Sequence, residues 1–588
     1  MTTFAFYRKH LSSRKSVAVF AALVLFSLLA TLVPYAVARF RAGDSWKGVT
    51  PSLSYDGLRY YARANDVLRG HFFAHDPYSI EHSYDPSPTP SIDDALVEFP
   101  IALTGSFNAG YYLSIFFWCL LFLMLTMRVL VRLGVHVPFA MLGAFFVYIG
   151  VYGDMLRPGA MQIVFPFFLL FLFMFYRFLE GERKSIIPLG VVTALGAYSY
   201  VFLFMVALAS IGVYWLMQLI RKDHVALIRA TLAGALGVVV ALPHYIYVAH
   251  LAQLPFYQES IVRLVFFYTH FPQMEVYYYG RWFVVGFLFV YLMRKYFPTY
   301  VHERTAEFLQ YTGAGIIIAL ISNIVLGRDF DIAVHVARFG IVWYLVVGVA
   351  LVAPLLKVLA RERGEIIKKL NVSILFLLLF MQMLLNIPRA VGPLTSLEEE
   401  HVVALQQYAG VIDWFAGKEQ SVVVGPHELM MYLPVLTKQY VLYTSHSGIF
   451  LMSDNEIRER YMLYHAFDRL TEEQFVQSFD EYMGLAPGML AQVSRERYQL
   501  CTLLRPQVFC APAQSSVDFI DSDAFKAQYH SYYSTLPMNV LSEYAKYHVR
   551  YVVRPATEPL KAELTVVCAE VYRDKYYAVC ELASPAPL

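Results

Sequence analysis

The chain has 588 residues, of which 58% are hydrophobic and only 16% charged, with a mean hydropathy of +0.49. That is too apolar for a water-soluble globular protein and points to a polytopic membrane protein. A formal net charge of +2, with the basic residues in short clusters between apolar runs, excludes nucleic acid as a partner.

A basic leader, "YRKHLSSRKS", runs into the apolar stretch "SVAVFAALVLFSLLATLVPYAVARF". Its Ala36-Val37-Ala38 has the small residues of a signal-peptide cleavage site, but a signal core has about 7 to 15 apolar residues and this run has about 20 or more. It is read as an uncleaved first span. Further runs of suitable length place spans at 16–39, 109–127, 137–153, 160–178, 186–201, 202–220, 225–248, 282–293, 307–326, 339–356 and 370–388, eleven in all. The stretch from Ile186 to Ile220 is too long for one helix and is divided at Tyr198-Ser199-Tyr200.

Lys and Arg collect on the cytoplasmic side of membrane proteins. With the N-terminus inside, Arg128 and Arg132, "YRFLEGERKS", "RKDH", "RKYFPTYVHER" and "KVLARERGEIIKK" all fall in cytoplasmic loops. The outer segments are then 40–108, 154–159, a tight turn, 249–281 and 327–338, and an odd number of spans leaves everything after Pro388 outside.

Two domains are expected: a membrane domain, 1–388, with its long first outer loop at 40–108, and an extracytoplasmic soluble α/β domain, 389–588. In the latter "SVVVGP", "YVLYT" and "VRYVVRP" read as short strands and "EIRERYMLYHAF" as a helix. "LTVVCAEVYRDKYYAVCEL" reads as a hairpin turning at Arg573-Asp574-Lys575, which sets Cys568 opposite Cys580. Cys501 and Cys510 form a second close pair, and all four cysteines lie where disulfides are chemically permitted. Free thiols are the alternative, and Cys119 lies within a span.

The first outer loop contains "SYDGLRYYARANDVLRGHFF", Ser54 to Phe73. Leu58, Tyr61, Ala62 and Leu68 share one helical face and Arg59, Arg63, Asp66 and Arg69 the other, the pattern of an amphipathic helix lying on the membrane surface. Asp56 stands at its start, where an N-cap role would suffice to explain it.

The order of a first span, a long outer loop, then Asp56, Tyr60, Tyr61, Ala62, Gly70 and Asp76-Pro77 resembles the first loop of the GT-C superfamily, integral-membrane glycosyltransferases that use polyprenyl-phosphate-linked sugars. The resemblance extends to the topology of the whole chain, but its residue-level part is this one loop. It implies a GT-C-like fold, 11 to 13 spans with a C-terminal extracytoplasmic domain, and a catalytic acidic residue in the first loop, which matches Asp56. Asp44, in "RAGDSWKG", is the competitor, and Asp154 is either a second acidic member of the site or a partner of Arg157. A carboxylate suits the chemistry. The sugar already carries an activated leaving group, so the enzyme has mainly to orient the acceptor hydroxyl and take its proton.

The departing lipid phosphate needs cations, and Arg offers bidentate donors. The outer-side candidates are Arg157 in "GDMLRPGAM", Arg263 and Arg281 around "LVFFYTHFPQMEVYYYG", and His335 and Arg338 in "DIAVHVARFG", with Asp331 one turn before His335. Interfacial anchoring or weak loop ion pairs would explain each of them as well.

No His/Cys pair at zinc spacing and no calcium-loop run of Asp is recognised in the sequence. A metal-independent reaction without cofactor is expected, with magnesium or manganese held by Asp56 and Asp154 as the alternative. The reading is an inverting glycosyltransferase of a plasma membrane, the bacterial inner membrane being expected. It takes a polyprenyl-phosphate-linked sugar and passes it to a glycan, lipid or protein acceptor. A polymerase or ligase of lipid-linked glycans is the neighbouring alternative. A lipid or sugar transporter or flippase is disfavoured by the scarcity of charges within the spans, and an inactive scaffold is a further alternative.

Overall fold

The computed structural model describes residues 13–583 apart from 53–56, 72–74, 158, 265, 273, 330, 362–365, 396, 469, 483–485, 534 and 566. The chain opens with α1 (Ser13–Ala42), followed in the first outer loop by α2 (Gly57–Asn65) and α3 (Ile92–Thr104). The bundle continues through α4 (Phe107–Arg132), α5 (Val137–Ile149), α6 (Met161–Leu179), α7 (Ile186–Ser199), α8 (Val201–Arg221), α9 (His224–Leu251), α10 (Met274–Tyr296), α11 (Glu303–Leu320), α12 (Ile332–Arg361) and α13 (Ile366–Thr395).

A helix therefore stands at each of the eleven expected spans, and among the described residues eight, α1, α4, α6, α8, α9, α10, α12 and α13, are long and apolar enough to cross a membrane. With 13 residues, α5 reaches only about 20 Å of the roughly 30 Å hydrocarbon. The 14-residue α7 is little longer. The first two turns of α11 carry Glu303, Arg304 and Glu307. Length and composition alone thus support eight of the eleven among the described residues and do not confirm the other three.

At the centre stands α12, whose Trp343 is fully buried. The indole Nε1 donates to Thr312 Oγ1 at 2.9 Å, and the ring lies where a Cβ on Gly313 would approach it to 2.5 Å. The peripheral helices α1, α9 and α13 instead expose Leu25, Leu242 and Leu385, as side chains facing lipid would.

Strands β1 (Phe267–Tyr268) and β2 (Arg328–Asp329) form a small antiparallel ribbon. The C-terminal region holds β3 (Val422–Val424), β4 (Tyr440–Val441), β5 (Val549–Pro555), β6 (Cys568–Arg573) and β7 (Tyr577–Leu582) in a five-stranded mixed sheet of order β4-β3-β5-β7-β6. All the expected strands are present, and "EIRERYMLYHAF" supplies most of the helix Asp454–Tyr464, capped by Ser453 Oγ accepting from the Glu456 amide at 3.0 Å. Disulfides join Cys501 to Cys510 and Cys568 to Cys580. The hairpin register differs from the expectation: Cys568 faces Leu582 and Glu570 faces Cys580, so the second bridge runs diagonally, next to an irregularity between Glu570 and Tyr572.

The amphipathic segment does not lie on the membrane surface. The α-helix ends at Asn65, a 3-10 turn takes Asp66–Arg69, and Gly57, Leu58, Tyr61, Ala62, Arg63, Ala64 and Asn65 are all buried. One side of α2 meets α3, and the other meets the C-terminal helix His427–Leu436. Asn65 Nδ2 donates to the carbonyls of Pro434 (3.2 Å) and Thr437 (3.0 Å), and the Val441 amide of β4 donates to Tyr78 O at 2.8 Å. The first outer loop is a layer between the bundle and the sheet. Its charged face is spent on buried partners, which is why periodicity alone suggested exposure.

Ion pairs tie the same seam. His82 Nδ1 lies 2.7 Å from Asp85 and Nε2 3.1 Å from Glu456, while Arg460 Nη2 bridges Glu81 at 2.8 Å and Glu456 at 2.9 Å. Burial alone would lower the His82 pKa. Hydrogen bonds donated to Glu456 and Asp85, with the charges of Glu456 and Asp76, outweigh burial and raise it from 6.5 to about 9. A raised histidine pKa stabilises fully below the unfolded value and loses that contribution as pH climbs through the folded one. Thermal denaturation should therefore show the wild type losing stability relative to His82→Gln between pH 6.5 and about 9. Parallel curves for the two proteins would remove His82 as a seam cation.

Candidate functional site

Four segments that the sequence places outside meet at one end of the bundle. Helix α2 brings Arg59 and Tyr60, with Arg59 Nη2 donating to the Tyr60 hydroxyl at 3.0 Å and the guanidinium 4.8 Å over the ring. Arg157, between α5 and α6, lies 5.6 Å over the same ring. Close by, Gly159 at φ +65° adopts the left-handed backbone glycine accepts without strain, and a Cβ there would be 3.7 Å from Tyr60.

The third segment is the break between α7 and α8. Tyr200 is extended (φ −157°, ψ 106°) and interrupts the helix. The reversal is tight because Gly196 has no side chain, a Cβ there falling 2.8 Å from the Phe204 amide nitrogen. The Tyr200 hydroxyl hydrogen-bonds His335 Nδ1, and Phe202 stacks on the His335 ring at 4.6 Å and 13°. The fourth segment, the start of α12, supplies His335 and Arg338, three residues and nearly one turn apart. His335 Nε2 is 3.6 Å from Asp331, and Arg338 is 3.5 Å from His335 Nδ1 and 3.6 Å from Asp154 Oδ1. Asp331 holds φ +59°, a conformation Asp tolerates better than most residues.

Behind this cluster the head of α3 fixes the α7–α8 break. Ser91 Oγ caps α3 by accepting from the Asp93 amide at 3.1 Å and itself donates to Ser199 O at 2.9 Å. Ser199 Oγ donates to Asp93 at 2.6 Å. Burial pushes the Asp93 carboxyl well above the ordinary range despite the Ser199 bond. Burial also raises Asp94, against the opposing pull of Arg63, which contacts it at 2.5 Å.

Three guanidiniums act within this cluster. Arg338, Arg157 and Arg59 all act on His335, and Arg338, Arg157 and Asp331 act on the Tyr200 hydroxyl. Among the described residues, Asp154 and Asp331 stand in the same cluster, and Arg63 is matched by Asp94. Clustered guanidiniums with several N–H donors suit an anion with several acceptor oxygens.

Of the residues singled out in the sequence, Arg157, His335, Arg338 and Asp154 come together here. Asp154 faces Arg338. Arg281 is exposed on α10, stacked on Tyr278 and Trp282 at 5.0 and 5.2 Å. Asp44 is exposed on the 3-10 turn Gly43–Ser45. Asp56 lies outside the described residues, immediately before Gly57 at the head of α2. Arg59, Tyr200 and Phe202 were not singled out as site residues. The polar interruption Tyr198-Ser199-Tyr200 in a long apolar run was the available signal for the last two.

Arg263 has a different task. Its side chain is 1% exposed and pairs with Asp454. It donates to Gly448 O, to Met452 O at 2.6 Å, to Phe450 O at 3.2 Å and to Ser260 Oγ at 3.1 Å. It pins the outer segment 249–281 to the C-terminal region. Arg263→Met should lower stability by about 3 kcal/mol, the lower end for a buried pair losing one partner since Asp454 is partly solvated, and differential scanning fluorimetry should show it as a lower Tm. An unchanged Tm would return Arg263 to the list of ligand-binding cations.

Among the described residues, Asp66, His71 and His75 form a group able to hold a metal ion. They lie in the first outer loop beyond α2, and the spacing of the two histidines was not recognised as a metal pattern in the sequence.

No family model matches the chain, and no curated protein matches it. Among solved structures it is similar to ArnT from Cupriavidus metallidurans bound to undecaprenyl phosphate, at 13% identity and a TM-score of 0.46 over 98% of this chain and 100% of that one. The same ArnT in the apo state gives 13% and 0.44 over the same shares. The apo oligosaccharyltransferase of Archaeoglobus fulgidus gives 11% and 0.41 over 91% of this chain and 69% of that one. Likeness at these scores carries no weight in assigning a function, which rests on the residues above.

Proposed function

We propose that the chain is a membrane glycosyltransferase of the GT-C type that moves a sugar from a polyprenyl-phosphate carrier to an acceptor on the extracytoplasmic side. The observation that carries this reading is the convergence of Arg59, Arg157 and Arg338 with His335 and Tyr200 where apolar helices end. A lipid phosphate has the matching shape: an apolar chain for the helix faces and a charged head for the cluster.

In this reading Arg157 and Arg338, with Arg59, hold the phosphate and take up the charge that grows on it as the bond to the anomeric carbon breaks. The acceptor hydroxyl attacks that carbon from the opposite face, which inverts the configuration. Its proton passes to Asp56. The support for Asp56 is its place in the chain, beside Gly57 on the helix that carries Arg59 and Tyr60 into the cluster. The roof over α2, formed by His427–Leu436, gives the C-terminal region a part in admitting the acceptor.

The test is to incubate the purified protein with a panel of polyprenyl-phosphate sugars, with membrane extract as the source of acceptor, and to measure loss of sugar from the carrier. Release or transfer of sugar from at least one donor is expected. Retention of sugar on every donor by well-folded protein would count against transfer.

A further inference from the structure

We infer that Asp66, His71 and His75 form a binding site for a zinc-class divalent cation, separate from the arginine cluster. Each of the three offers one donor atom, and these atoms lie within 4.8 Å of one another. The Oδ2 of Asp66 and Nδ1 of His71 are already 3.0 Å apart. Donors around a four-coordinate zinc, bound at about 2.0 to 2.1 Å, stand about 3.4 Å from each other, so only His75 has to close in.

The carboxylate is fixed in the way metal ligands are fixed. Asp66 is fully buried, and its second oxygen, Oδ1, accepts from Arg69 Nη1 at 3.0 Å. Arg69 is itself held by Pro77 O at 2.8 Å and Gln439 O at 2.6 Å, and it lies 4.5 Å over the Tyr440 ring. One oxygen is thus held by a cation that also reaches Pro77 in the same loop and Gln439 just before β4, and the other faces the two imidazoles. Such outer-sphere support orients a ligand. The His71 ring is 5.2 Å from His75 and 4.9 Å from Tyr84. Tyr84 is 80% exposed and marks a solvent side from which water could complete the coordination.

Two imidazole nitrogens and one carboxylate oxygen favour zinc over magnesium or calcium, which prefer all-oxygen shells. The site has a structural consequence. Asp66 and Arg69 close the turn after α2, and Arg69 reaches across to β4, so a bound ion would lock the first outer loop onto the sheet. This inference does not depend on the glycosyltransferase reading.

The experiment uses full-length, tag-free protein in detergent, stripped with chelator and titrated with zinc chloride, with bound zinc measured by mass spectrometry and Tm by fluorimetry. His71→Ala and His75→Ala are the test variants and His465→Ala the control, His465 lying in the helix-end pair with Asp468. Wild type and control are expected to retain one zinc per chain and to gain Tm on zinc addition, as a ligand that binds only the folded state requires. The two variants, folded by the same assay without zinc, should lose both responses. Cobalt substituted for zinc should give the visible absorption of a four-coordinate ion in wild type and control and not in the two variants. Equal zinc retention by wild type and the two variants, or no retention by wild type, would overturn the site.

Discussion

Arg338→Gln is expected to lower turnover on a polyprenyl-phosphate sugar by roughly 100-fold, the loss seen when one donor to developing transition-state charge is removed. Arg338 stands between Asp154 and His335 and belongs to the set of guanidiniums acting on His335. The charge on a leaving phosphate is larger than in the bound donor, so most of the loss should fall on turnover and a smaller part on carrier affinity. Arg338→Lys should recover only part of the rate, because an ammonium restores charge without the planar pair of donors. Arg281→Gln is the matched control, since Arg281 is an exposed outer-segment arginine stacked on its own helix neighbours. Initial rates and carrier binding measured side by side decide the matter. Equal rates for Arg338→Gln and Arg281→Gln would remove Arg338 from the phosphate site.

That control also shows where the sequence stopped being informative. Arg263, Arg281 and Arg338 look alike in one dimension, each an arginine in an outer segment rich in aromatics. What separates them is tertiary: Arg263 is consumed by Asp454 and the carbonyls of 448–452, Arg281 lies on aromatic rings, and only Arg338 meets Arg157 and His335. The helices were legible because apolar runs and basic clusters report directly on the bilayer. The short α5 and the charged start of α11 read as full spans because a hydropathy scan sees apolar density better than helix ends, and length and composition leave them unconfirmed. The segment after Asp56 misled for a physical reason. A face carrying Arg63 and Asp66 reads as solvated, yet Asp94 and Arg69 satisfy those charges inside the fold. The same assumption hid the group Asp66, His71 and His75, since placing Asp66 on an exposed helical face removed it as a metal ligand.

The carboxylate of Asp56 is the remaining test, and the variant Asp56→Asn separates its two roles. Asn caps a helix about as well as Asp, so the change should cost α2 well under about 1 kcal/mol. The burial of α2 between α3 and the helix His427–Leu436 makes any larger disturbance visible as a fall in Tm. The amide cannot take a proton from the acceptor. If Asp56 is the base, turnover falls by roughly 100-fold or more, the scale of lost general-base assistance, while Tm and carrier binding stay near wild type. Asp44→Asn, at an exposed position on the 3-10 turn after α1, should leave all three unchanged. The pairing with Arg338→Gln adds a further constraint: base and phosphate ligand act in the same step on opposite faces of the sugar, so their losses should combine non-additively in the double variant. Near-normal turnover in Asp56→Asn would leave the residue as a helix cap and move the search for a base to Asp154, which already faces Arg338 within the cluster.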